Sequence, residues 1–300
     1  MIDLVYIASP SYSGSTLLTF LLHAHPDIAT MGELKWGAID LETYPCSCGA
    51  LLRECAFWNQ VVAKMAERGL PFDLARPATD FRCRRRVFVD RVVRARLRGP
   101  LFESARRLLI STLPGLRRDW RTIAATNRAV MGIILELQGG SIFLDASKDP
   151  VRASHLLDTG DYRLRLIHLV RDGRAVTHST MKNQDLPPDA ATGEWRRTHG
   201  QIERFSRRLP PQSTLRVRYE DLCRDVPGAM ARICTWLGVQ PVDAPLDFRA
   251  AAHHILGNRM RLQAKPDIAL DERWRVHLTK SHLAVFEQQG GAMNRAYGYV

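Results

Sequence analysis

The sequence Ser-Pro-Ser-Tyr-Ser-Gly-Ser-Thr-Leu-Leu, residues 9–18, lies between a predicted strand and a predicted helix. Before it, residues 2–8 (IDLVYIA) form a short apolar run rich in β-branched residues, which is typical of a buried strand. After it, leucines recur at helical spacing up to Pro26, where a helix must end. A small-residue turn between a strand and a helix presents backbone N–H groups to an anion at the helix N-terminus. Residues 9–18 are therefore predicted to bind a phosphate or a sulfate.

The composition is that of a globular protein with an excess of positive charge. Hydrophobic residues make up 45% of the 300 residues, charged residues 25%, and the net charge is +12. A basic balance favours polyanionic partners, namely nucleotides, sulfated or phosphorylated substrates, nucleic acid or acidic membrane surfaces, and does not choose among them. No run of about eighteen apolar residues occurs, and Met1–Ala8 is interpreted as a strand rather than a signal peptide. We therefore expect no transmembrane segment and a cytoplasmic location, and the oligomeric state stays open.

Strands and helices alternate on both sides of one long interruption. Extended segments are predicted at residues 2–8, 26–33, 142–144, 165–170 and 215–219. This alternation predicts an α/β fold with a central parallel sheet, helices on both faces and a P-loop-like strand–loop–helix at the N-terminus. The interruption, residues 34–140, is predicted to be a large, mostly helical insertion within a single domain spanning residues 1–300. Residues 82–121 within it are predicted to form basic amphipathic helices.

The segments that follow the predicted strands carry polar residues. In parallel sheets, ligands bind at the carboxyl ends of the strands, so residues 9–15, 145–149, 171–173 and 219–221 should converge on one site. Arg171 would lie at the end of one strand, and Ser179 two helical turns later. An arginine and a hydroxyl suit a phosphate dianion through charge-assisted hydrogen bonds. The polar residues 183–193 are interpreted as a surface loop.

The first loop differs from the nucleoside-triphosphate motif G-x-x-x-x-G-K-[ST]. Gly14 is followed by Ser15 and Thr16 with no lysine between them. A triphosphate enzyme without that lysine loses its main charge stabiliser, so the loop fits a smaller anion such as a 5′-phosphosulfate. A P-loop kinase or other nucleotide phosphotransferase stays an alternative, as does a non-enzymatic polyanion binder that uses the arginine helices. A turn that merely caps a helix is the structural alternative.

Several segments together resemble the sulfotransferases that use 3′-phosphoadenosine 5′-phosphosulfate (PAPS), in particular the bacterial members and the tyrosylprotein sulfotransferases. In chain order, the matching segments are residues 13–18, 24–28 with 32–33, 147–150, 170–179 and 219–222. Residues 36–139 carry no resemblance. The likeness implies a sulfotransferase-like domain that moves a sulfuryl group from PAPS to a hydroxyl acceptor, without a metal and without a nucleic-acid partner.

The resemblance also implies a role for each matching residue. Glu33 would be the general base, and Lys148 would neutralise charge on the transferring group. The residues implied in donor binding are Tyr12, Ser13, Gly14, Ser15 and Thr16 for the 5′-phosphosulfate, Arg171 and Ser179 for the 3′-phosphate, Tyr219 near the adenine, and Arg259 or Arg261 in a late basic loop. Tyr12 departs from the family, because many members have lysine or arginine there; Lys148, Lys35 or an arginine of the insertion would then supply the charge.

Structural roles compete with these assignments. Glu33 could cap a helix, and Lys148 could pair with Asp145 or Asp149. His25, His253 and His254 are interpreted as structural, with a histidine base as the alternative.

The acceptor is expected to lie against residues 34–140 and 183–193. A small molecule, a lipid, a sugar and a protein tyrosine all stay open.

Three cysteines, Cys46, Cys48 and Cys55, have a spacing that resembles a zinc site but lack an obvious fourth ligand. Cys83 or a histidine would complete such a site. Reduced structural thiols are the favoured interpretation.

Overall fold

The computed structural model describes residues 1–82, 87–242, 253–257, 262 and 268–300. Five strands occur within these residues: β1 (Ile2–Ala8), β2 (Ile28–Thr30), β3 (Ile142–Lys148), β4 (Tyr162–Val170) and β5 (Thr214–Arg218). The helices of the same residues are α1 (Ser15–His23), α2 (Ala56–Glu67), α3 (Val87–Val93), α4 (Pro100–Thr112), α5 (Pro114–Gln138), α6 (Pro150–Thr159), α7 (Gly173–Gln184), α8 (Pro188–Ser206), α9 (Tyr219–Arg224), α10 (Val226–Leu237), α11 (Trp274–His277) and α12 (Lys280–Ala296).

The strands form one parallel sheet in the order β2-β3-β1-β4-β5. Strand β1 is central, and Asp3 pairs with Ile142 of β3 on one side and with Arg163 of β4 on the other. Alternate residues of β1 enter different cores: Leu4 and Tyr6 pack in one cluster, and Val5 in the other. A strand buried on both faces needs the continuous apolar run that β1 has. The predicted α/β fold with a central parallel sheet and helices on both faces is confirmed.

The described part of residues 34–140 contains four α-helices, α2 to α5. Helix α3 ends at Val93, so Leu97, which has the spacing of the same helical stripe, lies beyond the helix and is nevertheless buried. Helix α5 ends where Gly139 adopts φ 73°, a left-handed conformation that glycine tolerates. No helix in the described part of the chain is both long and apolar enough to cross a membrane.

The surface loop predicted for residues 183–193 is largely wrong. Helix α7 continues to Gln184 and α8 begins at Pro188, which leaves only residues 185–187 between them. Pro188 occupies the first turn of α8, where a helix does not use the N–H that proline lacks. The two adjacent prolines therefore start a helix instead of prolonging a loop.

One edge of the sheet collects the chemistry-bearing residues. Because all five strands are parallel, their carboxyl ends lie at the same edge. Residues 9–14 follow β1, Glu33 comes shortly after β2, and Lys148 ends β3. Arg171 follows β4, and Tyr219 follows β5 as the first residue of α9. The order of strands thus brings together residues that are far apart in sequence.

Candidate active site

The loop after β1 is shaped around Gly14. Gly14 is the N-cap of α1 and has φ 88°, a left-handed conformation. A Cβ atom there would lie 2.3 Å from Cδ2 of Tyr219, so the aromatic ring and the loop approach as closely as glycine permits. Within the described residues no side chain caps α1, and the first turn of α1 holds no acidic residue. The N-terminus of α1 therefore keeps its backbone donors and positive dipole end for another partner.

Buried donors surround this loop without a partner. The hydroxyls of Ser9 and Ser13 and the Nε of Arg171 are buried and have no hydrogen-bond partner among the described residues. Leaving a buried donor unsatisfied costs roughly 1–3 kcal/mol. Three such donors beside the N-terminus of α1 fit an acceptor-rich anion, because an anion would satisfy all of them.

Arg171 is held by three parts of the chain. Its Nη1 donates to the carbonyl of Tyr12 at 2.7 Å, and its Nη2 donates to the carbonyl of Asp271 at 2.9 Å. The guanidinium lies 4.5 Å from the centre of the Tyr219 ring. The side chain of Asp271 is 3.3 Å from Nη2, and hydrogen bonds from Arg273, aided by the charge of Arg171, hold the pKa of Asp271 below its usual range. No motif of the sequence analysis pointed to Asp271.

Tyr219 lies between Gly14 and Arg171. The side chain is buried. Burial raises the pKa of the Tyr219 phenol, and Cys223 raises it further by a smaller amount. The phenol therefore stays neutral at ordinary pH, and its ring offers a flat surface next to the loop.

Ser179 lies on α7, two turns after Arg171. Its hydroxyl donates to the carbonyl of Ala175 at 2.9 Å, within its own helix. It is half-buried. A phosphate beside α7 would require this hydroxyl to turn away from the helix backbone.

Glu33 and Lys148 form an ion pair at the ends of β2 and β3. Oε1 of Glu33 lies 2.6 Å from Nζ of Lys148, and the side chains are 26% and 20% exposed, so the pair is accessible from solvent. Lys148 adopts φ 67°, an uncommon conformation for a residue with a side chain. The structure thus joins two residues that the sequence placed 115 positions apart.

The neighbouring charges have other partners. Asp149 pairs with Lys35 at 2.5 Å, and Asp145 pairs with Arg152 at 3.2 Å. Lys148 pairs with Glu33, so the alternative pairing of Lys148 with Asp145 or Asp149 is not the one observed. Lys35, a candidate source of positive charge, lies next to the same pair.

Ser147 connects the strand ends. Its hydroxyl accepts hydrogen bonds from the backbone N–H groups of Leu34 and Lys35, at 2.9 and 2.8 Å. The segment that carries Glu33 is therefore fastened to β3 immediately before Lys148.

A cavity of about 360 Å³ opens beside the ion pair. Aromatic, aliphatic and charged side chains line it together: Glu33, Lys35, Trp36, Ile39, Tyr44, Lys148, Leu256 and Gly257. The indole N–H of Trp36 is buried without a hydrogen-bond partner in the described residues. The cavity could hold a mostly apolar small molecule whose polar group reaches Glu33.

The histidines occupy other positions. Both ring nitrogens of His25 contact backbone groups, those of Gln240 and Asp27, which fits the structural interpretation. The Nδ1 of His254 lies beside the thiols of Cys46 and Cys55. Arg259 and Arg261 lie outside the described residues, as does Cys83.

Comparison with known proteins supports one family. Residues 114–243 match the model of the sulfotransferase family. The resemblance to sulfotransferases is thereby confirmed. No curated protein sequence matches the chain.

Two solved sulfotransferase domains share the fold. The sulfotransferase domain of the olefin synthase of Synechococcus PCC 7002 is 21% identical, with a TM-score of 0.51, and the match covers 96% of this chain and 94% of that one. The sulfotransferase domain of the curacin biosynthetic pathway is 15% identical, with a TM-score of 0.50 and coverage of 96% and 97%. At these identities the likeness extends to the fold of the sulfotransferase domain.

Proposed function

We propose that the protein is a PAPS-dependent sulfotransferase that modifies a hydroxyl group. The observation that carries this proposal is the position of three unsatisfied buried donors, on Ser9, Ser13 and Arg171, around the uncapped N-terminus of α1. An anion there would lie at the same sheet edge as the Glu33–Lys148 pair. The match of residues 114–243 to the sulfotransferase family supports this reaction over phosphoryl transfer.

Both ends of the donor would be held by residues of this chain. The backbone of residues 12–16, with the hydroxyls of Ser13, Ser15 and Thr16, would hold the 5′-phosphosulfate at the positive end of α1. Arg171 and Ser179 would hold the 3′-phosphate, and Tyr219 would lie near the adenine. Arg259 or Arg261 would contribute from the late basic loop. PAPS supplies an activated sulfuryl group joined to a phosphate that leaves readily.

Glu33 and Lys148 would divide the acid–base work. Oε1 of Glu33 faces Lys148, which leaves Oε2 to accept the acceptor's proton. The acceptor oxygen forms a bond to sulfur, the bond from sulfur to the donor's phosphate oxygen breaks, and the proton goes to Glu33. Lys148 would stabilise the charge that collects on the transferring and leaving oxygens. In this assignment Lys148, and not Tyr12, supplies the positive charge.

The acceptor would bind in the cavity beside the ion pair. Trp36, Ile39 and Tyr44 supply its apolar and aromatic lining, and all three belong to residues 34–140, which we propose as the acceptor side of a single domain. A cavity of about 360 Å³ suits a small molecule or one end of a lipid or sugar better than a folded protein.

Transfer of labelled sulfate from PAPS into a metabolite extract tests the activity, with products identified by mass spectrometry. A thermal-shift comparison separates the donor classes. We expect adenosine 3′,5′-bisphosphate to raise the melting temperature and Mg·ATP to leave it unchanged. Stabilisation by Mg·ATP alone would favour the kinase alternative.

Glu33→Gln tests the general base. The amide keeps the size of the side chain but cannot take up a proton, so we expect turnover to fall roughly 10²–10⁴-fold while adenosine 3′,5′-bisphosphate binds as before. Glu42→Gln is the control, because Glu42 is 62% exposed and pairs with Arg53 at the surface. A fully active Glu33→Gln variant would remove Glu33 from catalysis.

A further inference from the structure

Four potential metal ligands meet next to the acceptor cavity. The Sγ atoms of Cys46, Cys48 and Cys55 and a ring nitrogen of His254 all lie within 4.8 Å of one another. The Sγ atoms of Cys48 and Cys55 are 3.8 Å apart, and Nδ1 of His254 is 3.7 Å from Cys46 Sγ and 3.3 Å from Cys55 Sγ. His254, which is 208 positions from Cys46, is the fourth ligand that the cysteine spacing lacked.

Three of the six separations between these ligand atoms are close to those of a tetrahedral site. With metal–sulfur bonds of about 2.3 Å and metal–nitrogen bonds of about 2.0–2.1 Å, neighbouring ligand atoms in a tetrahedron lie roughly 3.4–3.8 Å apart. The three distances given above are close to that range, and the remaining separations are at most 4.8 Å. Three thiolates and one imidazole form the ligand set of structural zinc sites, and soft thiolates select zinc over magnesium or calcium.

The local backbone brings the thiols to one side. The N–H of Cys46 donates to the carbonyl of Ala50 at 2.8 Å, and the N–H of Gly49 donates to the carbonyl of Cys46 at 3.0 Å. Gly49 adopts φ 94°, which closes this tight turn. Cys55 is the N-cap of α2, so the start of this helix fixes the position of its thiol.

The histidine ring is held in its orientation. It stacks on Phe57 with the ring centres 4.4 Å apart and the planes 1° from parallel. Phe57 belongs to the first turn of α2, two residues after Cys55. The same helix start therefore carries one cysteine and positions His254.

We propose that Cys46, Cys48, Cys55 and His254 bind one zinc ion, which fastens residues 253–257 to the loop of residues 44–55. This replaces the earlier preference for reduced structural thiols. The proposal does not depend on the proposed sulfotransferase activity.

The fastened segment forms part of the acceptor cavity. The N–H of Leu256 donates to the carbonyl of Met31 at 2.7 Å, and the N–H of Glu33 donates to the carbonyl of Leu256 at 3.3 Å. A Cβ on Gly257 would lie 2.9 Å from Oε1 of Glu33, so this segment lies directly against the carboxylate. A metal at the cluster would hold the wall of the cavity and the backbone on which Glu33 depends.

Metal analysis of the full-length protein tests the site. We expect one zinc per chain after purification, and we expect the cobalt-substituted protein to show thiolate-to-cobalt charge transfer and the intense d–d bands of tetrahedral coordination. Substoichiometric zinc in protein purified from zinc-supplemented cells would overturn the proposal. A Cys48–Cys55 disulfide, detected as the loss of two hydrogens by mass spectrometry, would also overturn it.

Variants assign the ligands. Cys48→Ser is the informative change, because Cys48 is exposed and its loss should not unfold the chain. We expect this variant and His254→Gln to lose zinc to a chelator that leaves the wild type loaded, and to weaken the charge-transfer band. Cys234→Ala is the control, because Cys234 is a buried cysteine on α10, and it should keep one zinc. Equal zinc retention by Cys48→Ser, His254→Gln and wild type would refute the ligand assignment.

Discussion

Arg171 is oriented before any ligand arrives. Two of its nitrogens donate to backbone carbonyls of Tyr12 and Asp271, and its guanidinium stacks on Tyr219. The remaining Nε is buried and unsatisfied. An arginine fixed in this way loses little side-chain entropy when it binds a phosphate. Asp271 works against binding, because its carboxylate competes for the same guanidinium.

Arg171→Ala should weaken binding of adenosine 3′,5′-bisphosphate. One charge-assisted hydrogen bond contributes about 1.5–3 kcal/mol, which corresponds to a roughly 10- to 150-fold loss of affinity in isothermal titration calorimetry. Arg163→Ala is the matched control, since Arg163 lies near the start of β4, the strand that Arg171 follows, is 70% exposed and pairs with Asp3 away from the site. Unchanged affinity in Arg171→Ala would exclude Arg171 from the donor site.

Helix α6 connects the sheet with the helical insertion through Arg152. This side chain is 1% exposed and pairs with Asp145 of β3 at 3.2 Å. It also donates to the carbonyl of Thr79 at 2.6 Å and to the side chain of Asn127 on α5 at 2.7 Å. One guanidinium on α6 therefore joins β3, α5 and the segment that contains Thr79.

Arg152→Met should destabilise the protein strongly. Methionine fills similar space but leaves Asp145 as a buried carboxylate without its charge partner, and breaking such a pair costs about 3–5 kcal/mol. Urea unfolding followed by circular dichroism measures the change. Arg128→Ala is the control. The Arg128 side chain is 59% exposed and pairs with Asp161, and exposed ion pairs contribute about 0–1 kcal/mol. If Arg152→Met lost no more free energy of unfolding than Arg128→Ala, the Arg152 network would add little to stability.

The strands could be predicted from the sequence, but the side-chain pairs that form at their ends could not. Each strand is a local run of apolar residues, and its side-chain pattern is visible within a few positions of the sequence. The pairs Glu33–Lys148 and Asp145–Arg152 arise because parallel strands align distant segments, and spacing along the chain carries no record of that. For the same reason, the sequence did not identify His254 as the histidine that lies beside the cysteines. The boundaries around Pro187 and Pro188 were mistaken because adjacent prolines are compatible with both a loop and a helix start.

At the scale of the whole molecule, two apolar cores lie on opposite faces of one sheet, and several histidines are buried in or beside them. His155 is fully enclosed among Phe81 and Trp120, and burial lowers its pKa to about 4. Burial and the nearby Arg216 lower the pKa of His168 to about 3. Its hydrogen-bonded neighbour His199, 2.8 Å away, also has a lowered pKa because of burial. These rings are neutral in the folded protein.

Stability should therefore fall as the pH drops below about 6.5, the ordinary pKa of histidine in an unfolded chain. Above that pH, the rings are neutral in both states and their contribution is constant. Below it, the histidines of the unfolded chain take up protons, whereas the buried rings of the folded protein stay neutral. The free energy of unfolding then decreases by up to about 1.4 kcal/mol per pH unit for each such histidine. For His155 the decrease continues until the pH approaches its folded value of about 4.

His155→Gln removes one of these titrating groups. The amide can still donate to the carbonyl of Val93, which His155 Nε2 contacts at 3.0 Å, but it does not titrate. Urea unfolding at several pH values between 7 and 5 should give a shallower pH dependence than that of the wild type, with the difference in slope growing as the pH falls, up to about 1.4 kcal/mol per pH unit. The difference between the two slopes cancels the other titrating groups, which both proteins share. Parallel curves would mean that His155 is protonated equally in the folded and unfolded chain, against the burial that encloses it.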